Sequence, residues 1–150
     1  MLIVTNPSVR HVGIVVQDLE GAIEFWIRNF GYKIRVNNFE SGEFISNLLN
    51  IPNLRVRTVK LENGIGSEIE LLNFSDYVAS TSWLGNITTT GLTHIALNVV
   101  DIESLVKRMK RQGYPTFYDV QLNVERSAKV CYLVGFEGLL LELVEVLFEK

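Results

Sequence analysis

Apolar residues alternate with small or polar ones over positions 9–16 and again over 94–100, and in both places an apolar stripe at helical spacing follows at once. In the first stretch Val12, Ile14 and Val16 share one face of an extended chain, while His11, Gly13 and Val15 share the other, because side chains alternate across a strand. The β-branched content favours strand over helix. Asp18 then stands where an N-cap is wanted, and Leu19, Ala22, Ile23, Trp26 and Phe30 form the stripe of a helix over 19–29 that Gly31 ends. The second copy repeats the grammar. A strand over 94–100 leads to the cap Asp101, a helix over 102–112 with Ile102, Leu105, Val106 and Met109 inward, and then Gly113.

Three strand-like runs follow each helix, at 33–37, 55–61 and 68–74 in the first half and at 116–120, 128–134 and 139–147 in the second. Each half therefore reads βαβββ, an α+β arrangement of two tandem modules, at about 9–74 and 92–147, joined by a polar linker at 75–91 in which Trp83 serves as an anchor. We expect residues 1–150 to form one domain with an internal duplication. The first half is longer between its histidine and its acidic phrase. The extra residues fall at 38–53, where GEFISNLLN predicts a short helix with Phe44, Ile45, Leu48 and Leu49 clustered, read as packing or a dimer contact rather than a lid.

With 150 residues and 47% hydrophobic content, the chain can bury one ordinary core. A formal charge of -3 argues against binding to a phosphate backbone, which needs a basic face. Cys131 stands alone, so no intrachain disulfide can form, in keeping with a reducing compartment. Met1 to Pro7 is too short for the core of a signal peptide, and the most apolar run, 139–148, is broken by Glu142 and Glu145 well short of a membrane span. The composition predicts a soluble, cytoplasmic protein with neither nucleic acid nor membrane as a partner.

The two histidines of the chain, His11 and His94, open the two copies, HVGIVVQDLE and HIALNVVDIE. Each copy later carries a second matching phrase, IELL with Glu70 and LELV with Glu142. Two imidazoles and two carboxylates suit one divalent first-row metal ion, Zn, Ni, Co, Fe or Mn, better than Ca or Mg. Either histidine alone reads more readily as a satisfied strand residue. Both at one repeat position, each followed by a glutamate, favour ligands. A carboxylate inside a run as apolar as LLLELV is costly unless paired or metal-bound, which is the strongest physical argument for Glu142. Glu68 and Glu145 are read as solvated charges at strand ends, off the ligand parity, and Cys131 as a small core residue. Gly13, Val15, Ala96 and Asn98 share the ligand parity and are expected to line a pocket for a modest organic molecule.

The phrases HVGIVVQDLEGAIEFW with its GY, IELL, HIALNVVDIE with its GY, and VCYLVGFEGLLLELVE together span nearly the whole chain. They resemble the vicinal oxygen chelate superfamily, which includes glyoxalase I, methylmalonyl-CoA epimerase, extradiol dioxygenases and bleomycin-resistance proteins. One departure is the GFEG turn at Gly135 to Gly138, where many relatives carry a DPDG-like turn. The resemblance implies an incomplete, curled mixed β-barrel with helices on the outer face, a homodimer, and His11, Glu70, His94 and Glu142 as metal ligands. It also implies a lyase or isomerase of glyoxalase or epimerase type, chelating vicinal oxygens of a small-molecule substrate and moving a carbon-bound proton through an enediolate-like intermediate, with Glu142 or Glu70 as the catalytic base. An iron-dependent extradiol-type dioxygenase and a non-catalytic, resistance-type binding protein stand as alternatives. The ligand set is equally compatible with a centre inside one chain and with one shared between two.

Overall fold

A computed structural model describes residues 8–77 and 87–147; Trp83 lies outside them. The chain divides into two compact units, Met1–Ala79 and Ser80–Lys150, and each is a four-stranded mixed sheet.

In the first unit the elements are β1 (Val12–Val15), α1 (Leu19–Phe30), β2 (Lys33–Ser41), α2 (Glu43–Leu49), β3 (Arg55–Glu62) and β4 (Glu68–Asn73). The strand order is β1-β4-β3-β2, with β1 parallel to β4 and the other pairs antiparallel. Helix α1 begins at Asp18, whose carboxylate accepts from the Gly21 amide at 3.0 Å. It ends at Gly31, which adopts φ 69° and donates to the Ile27 carbonyl. That left-handed conformation is open to glycine at little cost. The helix packs on β4, burying Leu19, Ile23 and Trp26, while Val59, Leu61, Ile69 and Leu71 are buried on the sheet. Phe25 is buried too, in edge-on contact with Trp26 and Phe30, so the inward stripe is wider than the periodicity predicts.

The second unit repeats this plan with β5 (Ile95–Asn98), α3 (Ile102–Arg111), β6 (Gln121–Leu122), β7 (Ala128–Val134) and β8 (Leu140–Val146), in the order β5-β8-β7-β6. Helix α3 packs on β7 and β8 and buries the expected four residues, Ile102, Leu105, Val106 and Met109. Cys131, Leu133, Leu141 and Leu143 are buried on the sheet. The α3 N-terminus is capped twice. Asp101 accepts from the Ser104 amide, and Glu145 accepts from the amides of Asp101 and Ile102, an acidic pair placed where the orphan amides of a first turn want it.

Three elements differ from expectation, the first being β2, which runs past the expected end at 37 to Ser41. The strand predicted over 116–120 is reduced to a bridge between Thr116 and Leu133, followed by the two-residue β6. A ladder running on from Thr116 would set Asp119 opposite Val130, but Gln121 takes that place, so two residues loop out and the strand breaks. The helix predicted within 38–53 forms as α2, yet its apolar residues do not cluster. Ile45 alone is buried, with Leu54 and Val56 and against Ile51, Leu72 and Phe74, while Phe44 and Leu48 are exposed. Since Leu72 and Val56 share the parity of Glu70, α2 closes one end of the sheet face opposite α1.

Candidate metal-binding pairs

Each histidine stands one residue before its strand, at the mouth of a parallel pair. His11 leads β1 and His94 leads β5. Glu70 on β4 is flanked by Gly13 and Lys60, and Glu142 on β8 by Ala96 and Tyr132. The small neighbours Gly13 and Ala96 leave room for the imidazoles to lean over the sheet. Within each module the pair meets: His11 Nε2 lies 3.1 Å from Glu70 Oε2, and His94 Nε2 lies 3.2 Å from Glu142 Oε2. All four side chains are largely sheltered, between 16% and 28% exposed. Gly13, Val15, Ala96 and Asn98 are exposed on the same faces.

The surroundings of the two pairs differ. Lys60 Nζ approaches Glu70 Oε1 at 3.7 Å, so this carboxylate faces a cation. Glu142 faces the Tyr132 ring instead, whose hydroxyl lies 3.5 Å from His94 Nε2 and whose face stacks on Phe117. Burial raises the Tyr132 hydroxyl above its usual range, and the charge of Glu142 and a hydrogen bond to it add to the rise. On its other nitrogen, Nδ1, His94 meets Thr93 Oγ1 at 2.8 Å.

Glu68 does not behave as the solvated strand-end charge expected of it. It lies two residues from Glu70 on β4 and therefore on the same face, a parity that could have been read from the sequence. Its side chain is 14% exposed, and its Oε1 lies 3.7 Å from His11 Nδ1. Both of those atoms are buried without a hydrogen-bond partner. Arg35 holds the other oxygen, Oε2, through Nε at 2.7 Å; a register shift in β2 between Ile34 and Val36 marks the place where it reaches across. Burial alone would raise the Glu68 carboxyl, but the hydrogen bond and charge of Arg35, with Lys60 and His11, hold it below the usual carboxylate range. Glu145 is off the ligand parity as predicted, and caps α3. Cys131 is buried, and that burial raises its thiol, as a core role requires.

Among the described residues, no group of three or more imidazole, thiol and carboxylate side chains is drawn together to hold a metal ion. Each module by itself offers a pair. Each pair sets donor types that suit a first-row metal ion side by side, an imidazole nitrogen and a carboxylate oxygen, with Nδ1 of each ring turned toward an oxygen of its own module. A groove on the outer side of α3, lined by Lys107, Lys110, Arg111 and Asp119, includes none of the four. No helix among the described residues is long and apolar enough to cross a membrane.

Residues 10–132 match the family model described as the glyoxalase/bleomycin resistance protein/dioxygenase superfamily. Among solved structures, a glyoxalase family protein from Bacillus cereus is 26% identical, with a TM-score of 0.86 over 98% of this chain and 100% of that one. The trypanothione-dependent glyoxalase I of Leishmania major shares the fold at 20% identity and TM-score 0.65, over 93% of this chain and 87% of its own. A fosfomycin resistance protein of Listeria monocytogenes, crystallised with Mn(II) and sulfate, does so at 15% and 0.60, over 94% and 93%. No curated protein matches the sequence.

Proposed function

Because the chain belongs to the glyoxalase/bleomycin resistance protein/dioxygenase superfamily, the vicinal oxygen chelate group, we propose that it is a metal-dependent lyase or isomerase of glyoxalase or epimerase type. His11, Glu70, His94 and Glu142 are the ligands of one divalent ion, and the substrate is a small molecule with neighbouring oxygens. The observation that carries this reading is the doubled pair: in both modules an imidazole Nε2 lies about one hydrogen-bond length from a carboxylate at the equivalent position. A divalent ion bound there would polarise substrate oxygens and favour loss of a proton from the adjacent carbon.

Proton movement falls to a glutamate of the same set, since a carboxylate beside the reacting carbon is a competent base. We assign it to Glu142 ahead of Glu70. Lys60 sits against Glu70 and restrains it, whereas Glu142 faces the neutral Tyr132 and Ala96. Tyr132 shelters that carboxylate from one side, which limits exchange of the moved proton with water. The Mn(II) crystallised with the Listeria protein is in keeping with the donor types here, and a cytoplasmic homodimer is part of the same proposal.

Elemental analysis of the purified protein should find about one divalent ion per chain, reduced by substitution of any of the four residues. Solvent-deuterium exchange into an α-hydroxycarbonyl or 2-methylmalonyl-type substrate should fall sharply in Glu142→Gln and less in Glu70→Gln. Undiminished exchange in both variants would end the proposal.

A further inference from the structure

The duplicated strands allow position-by-position comparison of what lies beside each histidine. In the first module β1 and β4 pair Val12 with Ile69, so one step earlier His11 lies beside Glu68. In the second, β5 and β8 pair Ile95 with Leu141, so one step earlier His94 lies beside Leu140. Glu68 and Leu140 are thus equivalent positions with opposite chemistry, and Leu140 is buried. The residues that precede the histidines are also unlike: an exposed Arg10 in the first module and Thr93 in the second.

An imidazole that presents its Nε2 lone pair carries its proton on Nδ1, and a sheltered Nδ1–H needs an acceptor. Thr93 Oγ1, at 2.8 Å, meets that need for His94. In the first module the partner must come from the sheet, and Glu68 Oε1 lies 3.7 Å from His11 Nδ1. The two atoms are both buried and both unsatisfied, so a small rotation of one ring completes a hydrogen bond and removes two orphans together. Arg35 grips the remaining oxygen of Glu68 and fixes which oxygen faces the ring.

We infer that Glu68 and Thr93 are positioning residues that perform one task by unrelated means: each accepts the Nδ1 proton of its own module's histidine, so that Nε2 stands open beside Glu70 or Glu142. The inference rests on the reading of His11 and His94 as metal donors. Outer partners of this kind fix ring orientation and tautomer, and their loss typically weakens metal binding ten- to a hundredfold. Because the acceptor in the first module is a carboxylate held by Arg35, and in the second a hydroxyl on the chain itself, the two rings are supported independently.

Zinc titration calorimetry and long-range 15N spectra of the histidine rings test this on the full-length protein. In the zinc-loaded wild type both rings should carry their proton on Nδ1. Glu68→Leu should weaken zinc binding at least tenfold and broaden or shift the His11 signals alone. Thr93→Val, nearly isosteric, should do the same to His94 alone, which keeps the test intact should Glu68→Leu fail to fold. Glu68→Gln keeps a single acceptor oxygen, which the Arg35 guanidinium claims, so it should disturb the His11 signals as Glu68→Leu does, whereas Arg35→Gln, which breaks the ion pair without removing the acceptor, should keep the wild-type ring signature. Arg10→Thr combined with Glu68→Leu transplants the hydroxyl device and should recover zinc binding. Wild-type zinc affinity and unchanged ring spectra in either Glu68→Leu or Thr93→Val would overturn the inference while leaving the metal reading standing. Wild-type protein that takes up no zinc or any other first-row ion would overturn both.

Discussion

Glu70→Gln and Glu142→Gln, made separately, should move the stability of the metal-free protein in opposite directions, although the two residues are equivalent by position. Glu70 Oε1 lies 3.7 Å from Lys60 Nζ, and the two side chains are 16% and 21% exposed. Two unit charges at that separation attract by about 4.5 kcal/mol at an effective dielectric of about 20, which sets a ceiling. Desolvation of both groups offsets much of it, and exposed pairs return only about 0.2–1 kcal/mol. For this sheltered pair, loss of the carboxylate should therefore destabilise by about 1–2 kcal/mol, in part because Lys60 is left behind. Glu142 has no cation at the matching place, only Tyr132 and Ala96 beside it and His94 at its tip. An amide there gives up less hydration than a carboxylate and can still accept from His94, so Glu142→Gln should be neutral or stabilising by up to about 1 kcal/mol. Urea unfolding at pH 7 with EDTA present, at unchanged m, reads both. Lys60→Met should abolish the penalty of Glu70→Gln in a double-mutant cycle. An equal loss in the two glutamine variants would refute the reasoning that Lys60 makes the two carboxylates unequal.

Further outcomes follow from the same geometry. Leu141→Ala empties a fully buried site on β8 and should cost about 3 kcal/mol by denaturant unfolding; a loss under about 1 kcal/mol would mean that the helix-covered face is misassigned. Asp18→Ala removes the carboxylate that accepts from the Gly21 amide and should cost about 1 kcal/mol, with Asp18→Asn close to neutral. The Asp76 carboxyl is held below its usual range chiefly by the hydrogen bond from Arg55, which outweighs the opposing effect of burial, with the Arg55 charge adding a smaller lowering. Asp101 is held low by the Ser104 hydroxyl and amide. Folded values below unfolded ones mean a stabilising contribution present above the unfolded carboxyl pKa near ~3.9 and lost as pH falls through the folded values. Melting curves from pH 6 downward should show that loss, and Arg55→Met should flatten it; an identical profile in the variant would count against the Asp76 share. Cys131, with its thiol raised by burial, should react with a thiol reagent only as the protein unfolds, and rapid labelling of native protein would contradict its core placement.

Much of this architecture was legible because it is written in short periods. The two βα openings, both aspartate caps, the glycine that ends α1, and the inward stripe of α3 depend on residues within a turn or two of each other. The duplication supplied the rest: His94 repeats His11 and Glu142 repeats Glu70, and the structure brings His11 to Glu70 and His94 to Glu142, each within its own module. Glu68 could have been found in the same way, since a residue two places from Glu70 shares its face. Phe25 escaped because a helix packed against a sheet buries more than its narrow stripe.

What the chain order determined, then, is most of the elements and the face on which most of their residues lie, because alternation and helical spacing are local properties of a polymer. Tertiary structure alone decided which residues stand side by side across strands. Register set Lys60 against Glu70 and Tyr132 against Glu142, and so made two equivalent carboxylates unequal. It also put Glu68 beside His11 and Leu140 beside His94, looped out two residues before β6, and laid α2 over the end of the face that carries Glu70 through Ile45, Leu54 and Val56. Such neighbours are separated by tens of residues along the chain. Their contacts are selected by the packing of whole sheets, and no short window of sequence carries that information.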